Sequence, residues 1–526
     1  MLNQVIVTAD RMRAIESLMF AAGMPVAALM EKVAGLIARR LAEIYPIATY
    51  RRVGILVGSG HNGGDALVVA RELWHRGREV RVYSPLAKHK PLTRVHRCYA
   101  QSLGIPFVDL EELKTCDLIV DGLFGFGLER NIQGELAGII DKVNTWGIPI
   151  LSIDLPSGIH TDTGAVMGVA IRATHTLCLG LWKRGLFAES TLSYVGQVER
   201  LDFDIPEFMV RQVLGDAHAE WRIDPKQIFR HSSQSSRGNP ASSCLPIPRA
   251  ITTHKYQVGH LLLIVGSQTY GGAALLASLG AKASGVGMLT IAVPNSLRLM
   301  VLAQVPDALI IGCPETDRGA IAQLPELDLH KYQAIACGCG LSLEAKAIVE
   351  RVIKAPCPLV LDADGLTLLA SLGIDRLKAR SQATILTPHW GEFSRLFPEL
   401  KLEDRLTAVQ RAASQTGATI LLKGARTAIS FCDRLATSSL EMPEYQQTWV
   451  NPESTPALAR GGSGDVLAGV IGGLLAQGMT GGNAAIAATV WHSQTAIWLA
   501  KQRTEMGVDP LILAQNLLSF LAHKTV

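Results

Sequence analysis

The stretch ARGGSGDVLAGVIGGLLAQG, Ala459 to Gly478, decides the reading of the chain. Gly461, Gly462 and Gly464 flank Ser463 and lead into an apolar run of helical period from Asp465, so bare backbone N–H groups crowd a helix N-terminus. Such a terminus carries the positive end of the helix dipole and holds anions. Asp465, in the first turn, is placed to take a proton from a hydroxyl while the neighbouring amides hold the charge of a transferring phosphoryl group. The combination points to phosphoryl chemistry on an alcohol. A GSGD loop on its own serves equally well as a tight turn before a helix, and the rest of the C-terminal half tips the balance.

Upstream of that stretch, strands and helices alternate. HLLLIVGS (260–267), GMLTIAVP and QAIACGCG read as strands around the helical GGAALLASLGAKASG, followed by CPLVLDADGLTLLA, ATILTPHWGEFSRL and ATILLKGARTAIS. Polar clusters close several strands: Asp362 and Asp364, then His389 and Glu392, then Lys423 to Thr427. In the last cluster Gly424 permits close backbone approach, Lys423 supplies charge and Thr427 a hydroxyl, a set suited to nucleotide phosphates. Cys337 and Cys339 read as small buried residues, because CxC without a second Cys or His pair is an incomplete metal site. The small residues from 272 to 287 read as tight helix packing along most of their length, with a glycine-rich start poised for a ligand.

The N-terminal half has the same rhythm. Residues 8 to 44 predict two helices, with Thr8 as N-cap and Pro25 at the start of the second. VGILVG (53–58), EVRVYS (79–84), DLIVDG (117–122), IPILSID (148–154) and THTLCLG (174–180) predict strands separated by helices, hence a parallel sheet covered on both faces. Ligands of such sheets sit beyond the carboxyl ends of the strands. Four polar clusters fall there: His61 to Asp65, Asp121 with GLFGFGLER, Asp154 with LPSG, and Lys183 with Arg184. Each alone reads as a turn or a helix cap, but together they converge on one sheet edge. GSGHNGGD matches GxGxxG at Gly58, Gly60 and Gly63, yet no acid ends the next strand, so the dinucleotide fingerprint is incomplete.

The 526 residues, 48% hydrophobic and 18% charged, suffice for two to four cores. A net charge of +4 with scattered Lys and Arg leaves no footprint for nucleic acid or an anionic membrane. Nine dispersed cysteines fit a reducing compartment, and the start MLNQVIVTADRMRAIE has no signal-segment pattern, so a cytoplasmic location is expected. RHSSQSSRGNPASSCLPIPR (230–249) reads as a linker, which sets the expected domains at 1–225 and 251–526 with a linker over 226–250.

LMEKVAG (29–35), GSGHNGGDALVVAREL, DGLFGFGLER and SIDLPSGIHTDTGAVMGVAIRATHTLCLG together resemble the NAD(P)H-hydrate epimerase family over roughly 1–215. The resemblance implies a Rossmann-like domain that interconverts the R and S forms of hydrated NADH and NADPH, NADHX and NADPHX. It implies substrate contacts from His61, Asn62, Gly63, Gly64 and Asp65, from Gly125, Phe126, Gly127, Leu128, Glu129, Arg130 and Asn131, and from Asp154 as catalytic acid or base. It also implies a potassium ion, K+, on Asn62, Asp121 and Ser157. His61 and Ala66 depart from the family, which usually has Asn and Gly there.

HKYQVGH, IVGSQTYGGAALLA, GCGLS, LDADGL, LTPHWGEFSRL, KGART, RGGSGDVLAGVIGGLLAQG and WHSQTAIWLA resemble, in order and spacing, the ADP-dependent NAD(P)H-hydrate dehydratase family over roughly 235–522. This implies a ribokinase-like fold and a bifunctional repair enzyme of α/β class, a Rossmann-like parallel-sheet domain followed by a ribokinase-like one. Ala273, Gly340, His389 and catalytic Asp465 would contact the hydrated cofactor. Lys423, Gly424, Ala425, Arg426, Thr427 and Gly464 would bind the nucleotide with Mg2+. GCGLS stands where GPGLG is common, and Pro306–Asp307 where PE is usual. The expected partners are small molecules, NADHX or NADPHX and ADP, with no nucleic acid or membrane, in a homo-oligomer. Two rival readings stay open: a ribokinase-like kinase with a stable phosphorylated product, and an N-terminal domain that binds without turnover.

Overall fold

The computed structural model describes residues 2–215, 220–229, 244–401, 404–433 and 445–525. The chain forms two compact units, Met1–Glu220 and Trp221–Val526. Among the described residues no single helix is long and apolar enough to cross a membrane.

The first unit is built on a six-stranded parallel sheet in the spatial order Glu79–Tyr83, Arg52–Val57, Leu118–Gly122, Ile150–Ile153, His175–Leu179, Gln197–Leu201. The middle strands are buried along nearly their whole length because helices cover both faces, and the polar Asp121, Ser152 and Thr176 are buried within them. Strand order reverses between Arg52–Val57 and Leu118–Gly122, and a doubly wound sheet opens its ligand crevice at that reversal. The helix His61–His75 starts directly beyond the first of these strands. The two predicted N-terminal helices are Ala9–Ala21, where the Thr8 hydroxyl accepts from the Arg11 N–H at 3.4 Å, and Val26–Ile44.

Two features differ from the sequence reading. Gln197–Leu201 is a sixth strand of half-buried, mostly polar residues, without the apolar run that marked the others. A two-residue strand, Ile6–Val7, pairs in parallel with Trp182–Lys183, and the Trp182 indole donates to the Asn3 carbonyl at 2.7 Å. That pairing joins the start of the chain to the far end of the sheet.

The second unit holds a ten-stranded sheet: Leu309–Cys313, Met288–Pro294, His260–Ile264, Ala334–Cys337, Leu359–Leu361, Thr384–Leu386, Thr419–Leu422, Ala428–Asp433, Tyr445–Val450, Glu220–Arg222. It is parallel from Leu309–Cys313 as far as Thr419–Leu422, after which two antiparallel pairings follow. Its order reverses between His260–Ile264 and Ala334–Cys337, so SQTYGG and GCG, which follow those strands, flank the crevice. The stretch expected as linker, 226–250, is not linker at both ends: Pro225–Ile228 is helical, and Ile228 and Leu245 lie in the core of the second unit. Burial of those two apolar side chains outweighs the polar composition around them. Residues 230–243 of that stretch lie outside the described residues.

The run Ser463–Ala476 is a helix whose residues from Val466 onward are all buried. It packs backbone to backbone on the helix Gly271–Ala283: a Cβ on Gly469 would stand 2.0 Å from the Ala277 carbonyl oxygen, and one on Gly280 would stand 2.2 Å from that of Val466. The small residues of both helices therefore serve packing. Gly469→Ala is expected to lower the unfolding free energy of this unit by about 1–3 kcal/mol in urea titrations. Gly461→Ala, whose Cβ would meet nothing within 4 Å, is expected to change it by less than ~0.5 kcal/mol.

Candidate functional sites

In the first unit, the crevice is a cavity of about 450 Å³ at the carboxyl edge of the sheet. Its centre is a buried ion pair. The Lys183 ammonium lies 2.6 Å from Asp154 Oδ1, with the two side chains 1% and 4% exposed. The Leu179 and Phe126 N–H groups each donate to Asp154 at 3.2 Å, and Lys183 also donates to the Leu179 carbonyl. Burial is the largest influence on Lys183 and disfavours its charge, but Asp154, with Cys178 and Glu16, reverses the sign and lifts it above the ordinary lysine value. Asp154 itself sits at φ +70°, a left-handed conformation that costs a non-glycine residue roughly 1–3 kcal/mol and marks a site held by its surroundings.

Asp121 lies inside the strand Leu118–Gly122, not beyond its end, and caps no helix. It is fully buried and accepts from Ser157 Oγ at 2.6 Å, from the Ser157 N–H at 2.9 Å and from Ser152 Oγ at 2.8 Å. Burial raises its pKa while the Ser157 hydrogen bonds oppose that shift. Asn62 is buried beside Gly125, and its Nδ2 has no hydrogen-bond partner. His61 lines the cavity mouth, its pKa lowered by burial and by Lys90, so it is neutral at pH 7. The Ala66 methyl is accommodated because its neighbour Gly122 has no Cβ.

The cavity thus brings together His61, Asn62, Asp65, Gly125, Phe126, Gly127, Leu128 and Asp154 from the sequence-predicted set. Gly63 and Gly64 are buried behind it, where Gly64 lets Met30 of the neighbouring helix approach. Glu129, Arg130 and Asn131 are exposed and do not line it, and Glu129 pairs with Arg13 at 2.8 Å. Sequence reasoning missed Glu16, which lines the cavity from the first helix. Burial, the main cause, together with Asp154, pushes its carboxyl up to about 7 against the pull of Lys183. Asp65 is raised well above its ordinary value by burial, Asp154 and Glu16.

In the second unit, the glycine loop before Ser463–Ala476 meets a second ion pair, of a buried aspartate and a half-buried lysine. Lys423 Nζ lies 2.7 Å from Asp362 Oδ1 and 4.0 Å from Glu392 Oε2. Burial disfavours the Lys423 charge, but Asp362 and Glu392 reverse the effect and raise its pKa. A Cβ on Gly464 would stand 3.3 Å from Lys423 Nζ, so the missing side chain lets the helix N-terminus close on the ammonium. Asp465 is pushed up to about 7, first by burial and then by Asp362, while the Cys339 thiol and Lys423 pull the other way. Cys337 and Cys339 are both buried. Burial holds the Cys337 thiol at about 12 and Cys339 well above the ordinary thiol value, as small residues of the interior.

His389 is the N-cap of the helix Trp390–Leu396: its Nδ1 accepts from the Gly391 N–H at 3.0 Å, and Glu392 Oε2 accepts from the His389 N–H at 2.8 Å. This reciprocal capping leaves the ring 56% exposed while Glu392 is buried. Gly340 packs on Ala273, within 2.8 Å of its Cβ if it carried a side chain. Lys423 to Thr427 link two antiparallel strands, with Gly424 and Ala425 exposed and the Thr427 hydroxyl donating to the Gly424 carbonyl at 3.1 Å. Asp362 and His492 are the residues that sequence reasoning left unassigned. Buried His492, lowered to about 4 by burial and hence neutral, faces the Ser463 carbonyl through Nε2 at 3.0 Å and fixes the loop. Of the departures, Ser342 adopts φ +74°, where glycine is usual, and its N–H donates to Asp364 at 2.8 Å, while Asp307 pairs with Lys282 at 2.7 Å on the surface.

A carboxyl raised in the folded state binds its proton more tightly there than in the unfolded chain, so its contribution to stability falls as pH rises from its ordinary value through about 7. Asp465→Asn is therefore expected to raise the thermal midpoint at pH 8 by roughly 2–4 °C, and by less at pH 5, in paired melting curves.

A sequence profile described as NAD(P)H-hydrate dehydratase matches residues 261–518, and one described as YjeF-related protein N-terminus matches residues 26–185. The chain is 51% identical over 524 residues to the bifunctional NAD(P)H-hydrate repair enzyme Nnr of Thermosynechococcus vestitus, covering 98% of this chain and 97% of that one. It is 50% identical over 519 residues to the protein of the same description from Synechocystis sp., covering 98% and 94%. Among solved structures, an ADP/ATP-dependent NAD(P)H-hydrate dehydratase from Bacillus subtilis, co-crystallised with ATP/Mg2+, is 30% identical. It covers 53% of this chain and 94% of its own, with a TM-score of 0.44.

Proposed function

The chain belongs to the family of bifunctional NAD(P)H-hydrate repair enzymes, and from that premise we propose that its first unit epimerises NADHX and NADPHX and its second dehydrates the S form with ADP. The observation that carries the second assignment is Asp465, raised to about 7 at the helix N-terminus that closes on Lys423.

Hydration of a reduced nicotinamide puts a hydroxyl on the ring carbon next to the ring nitrogen, and hydroxide is a poor leaving group. In its ionised form Asp465 takes the hydroxyl proton as the oxygen attacks the β-phosphorus of ADP, which releases AMP. The amides of Gly462 to Gly464 and the Lys423 ammonium hold the charge on the transferred phosphoryl group. The ring C–O bond then breaks with its electron pair leaving on phosphate, and a proton lost from the adjacent carbon restores the ring double bond. His389 contacts the hydrated ring with its exposed imidazole, beside Ala273 and Gly340, while Gly424 to Thr427 hold the nucleotide. Glu392 and Asp362 supply carboxylate oxygen suited to Mg2+, which would neutralise nucleotide phosphate charge.

In the first unit, Asp154 acts at the ring carbon that carries the hydroxyl. Asp121, Ser157 and the side-chain oxygen of Asn62 form an all-oxygen set that fits a hard cation. K+ held there would order the loop from Leu123 to Leu128. Because the dehydratase takes one form, the epimerase upstream makes both forms recoverable.

The test is recovery of reduced-nicotinamide absorbance from mixed forms of NADHX with ADP and Mg2+. Complete, nucleotide-dependent recovery is expected from the wild type. Asp465→Asn should abolish dehydration and spare epimerisation, and Asp154→Asn the reverse, each by about 10²-fold or more. Loss of both activities in either variant would defeat the two-site assignment, and a stable phosphorylated product would favour a kinase. The dehydration rate of the wild type should rise with pH through about 7, since Asp465 serves as a base.

A further inference from the structure

The first unit holds a carboxyl that the reading above does not use. Glu16 projects from the helix Ala9–Ala21 into the same cavity as Asp154 and Lys183. It is half-buried, and among the described residues no cation pairs with it and no side-chain hydrogen bond engages it. The other charged groups around the cavity are otherwise committed or more distant in role. Lys183 is bound to Asp154 at 2.6 Å. Arg13, one turn away on the same helix, is held by Asp10 at 2.6 Å and Glu129 at 2.8 Å. Asp65 lies at the start of the neighbouring helix, and His61 and Lys90 line the cavity from its loop side.

Resting on the epimerase reading of this unit, we propose that Glu16 is the proton donor that works opposite Asp154 in the epimerisation. The Glu16 carboxyl gives its proton to the ring hydroxyl. The carbon–oxygen bond breaks with its electron pair leaving as water, and the ring nitrogen lone pair closes a carbon–nitrogen double bond. A water then adds to the opposite face, forming the new carbon–oxygen bond, and the iminium pair returns to nitrogen. The proton released by that water goes to Asp154. The two carboxyls exchange protonation state, the reverse reaction uses them in the opposite sense, and no oxidant or further reactant is needed.

The division of labour follows from unlike surroundings. Asp154 has an ammonium and two N–H groups on its carboxylate, the environment of a proton acceptor. Glu16 has none of these, and burial keeps its proton to about pH 7. Two carboxyls in one cavity, one held in an ion pair and the other without a partner, are the usual arrangement of a base and an acid.

The experiment uses the full chain, whose dehydratase supplies an internal control of folding and of substrate quality. Interconversion of the two forms of NADHX without nucleotide is followed by chromatography from pH 5.5 to 9, with the uncatalysed rate subtracted. The wild-type rate should fall as pH rises through about 7. Glu16→Gln should lose about 10²- to 10⁴-fold in kcat with little change in KM, and its remaining rate should lack that descending limb, while nucleotide-dependent dehydration of the S form stays at the wild-type level. Glu16→Asp, which keeps the carboxyl, should be slower yet retain the limb, and it decides the matter if the glutamine variant is poorly folded. Epimerisation by Glu16→Gln within about threefold of wild type, or an unchanged limb in that variant, overturns the assignment. Absence of epimerisation in a wild-type chain that still dehydrates the S form would instead overturn the epimerase reading on which it rests.

Discussion

In each unit a lysine ammonium pairs with a buried aspartate carboxylate at the carboxyl edge of the sheet, Lys183, itself buried, with Asp154 at 2.6 Å and the half-buried Lys423 with Asp362 at 2.7 Å. Neither charge is tolerable alone: removing one member of such a pair strands the other in a poorly solvated site, at a cost of about 3–5 kcal/mol. The pairing therefore constrains everything around it. In the first unit it fixes an aspartate in a left-handed conformation and draws two N–H groups onto it. In the second it sets the position that the helix N-terminus of Ser463–Ala476 must approach, which a side chain on Gly464 would crowd.

The same pairs create unequal neighbours. For a carboxyl close to a buried ion pair, but not part of it, desolvation is the largest influence and outweighs the pull of the lysine. Glu16 and Asp465 both stand in that relation, and both rise to about 7. A group that changes charge near neutral pH is what proton transfer needs, and it is obtained in both units by one device, burial beside a charge that is already satisfied. Rigidity comes from the packing behind each site. Gly280 and Gly469 bring two helices into backbone contact under the phosphoryl loop, and His492 holds the Ser463 carbonyl.

Much of this was legible in the chain itself. The alternation of apolar runs with glycine-rich loops pointed to two parallel α/β sheets, and the loops at strand ends supplied the charged pair and part of the lining of the first crevice. The motif GSGD placed Asp465 at a helix N-terminus, and KGART placed Lys423 between two strands. What escaped had no local signal. Gln197–Leu201 lacks an apolar run because it is the outermost strand of its sheet. Glu129, Arg130 and Asn131 continue a motif whose first residues line the cavity, but the loop turns them outward. Ile228 and Leu245 sit in polar sequence and yet enter a core.

By itself the sequence determined the fold class, the family and the loops that carry the chemistry, because each depends on short-range patterns: period, turn residues and spacing. Tertiary structure alone decided which acids titrate near neutrality. Glu16 lies on an ordinary amphipathic helix, 138 positions before Asp154 by the numbering, and nothing near it in sequence marks it. It reaches the cavity because Ile6–Val7 pairs with Trp182–Lys183, a contact between distant segments that carries the first helix to the end of the sheet. Its proton affinity is then set by burial and by charges from other elements, which are quantities of three-dimensional proximity and not of sequence order.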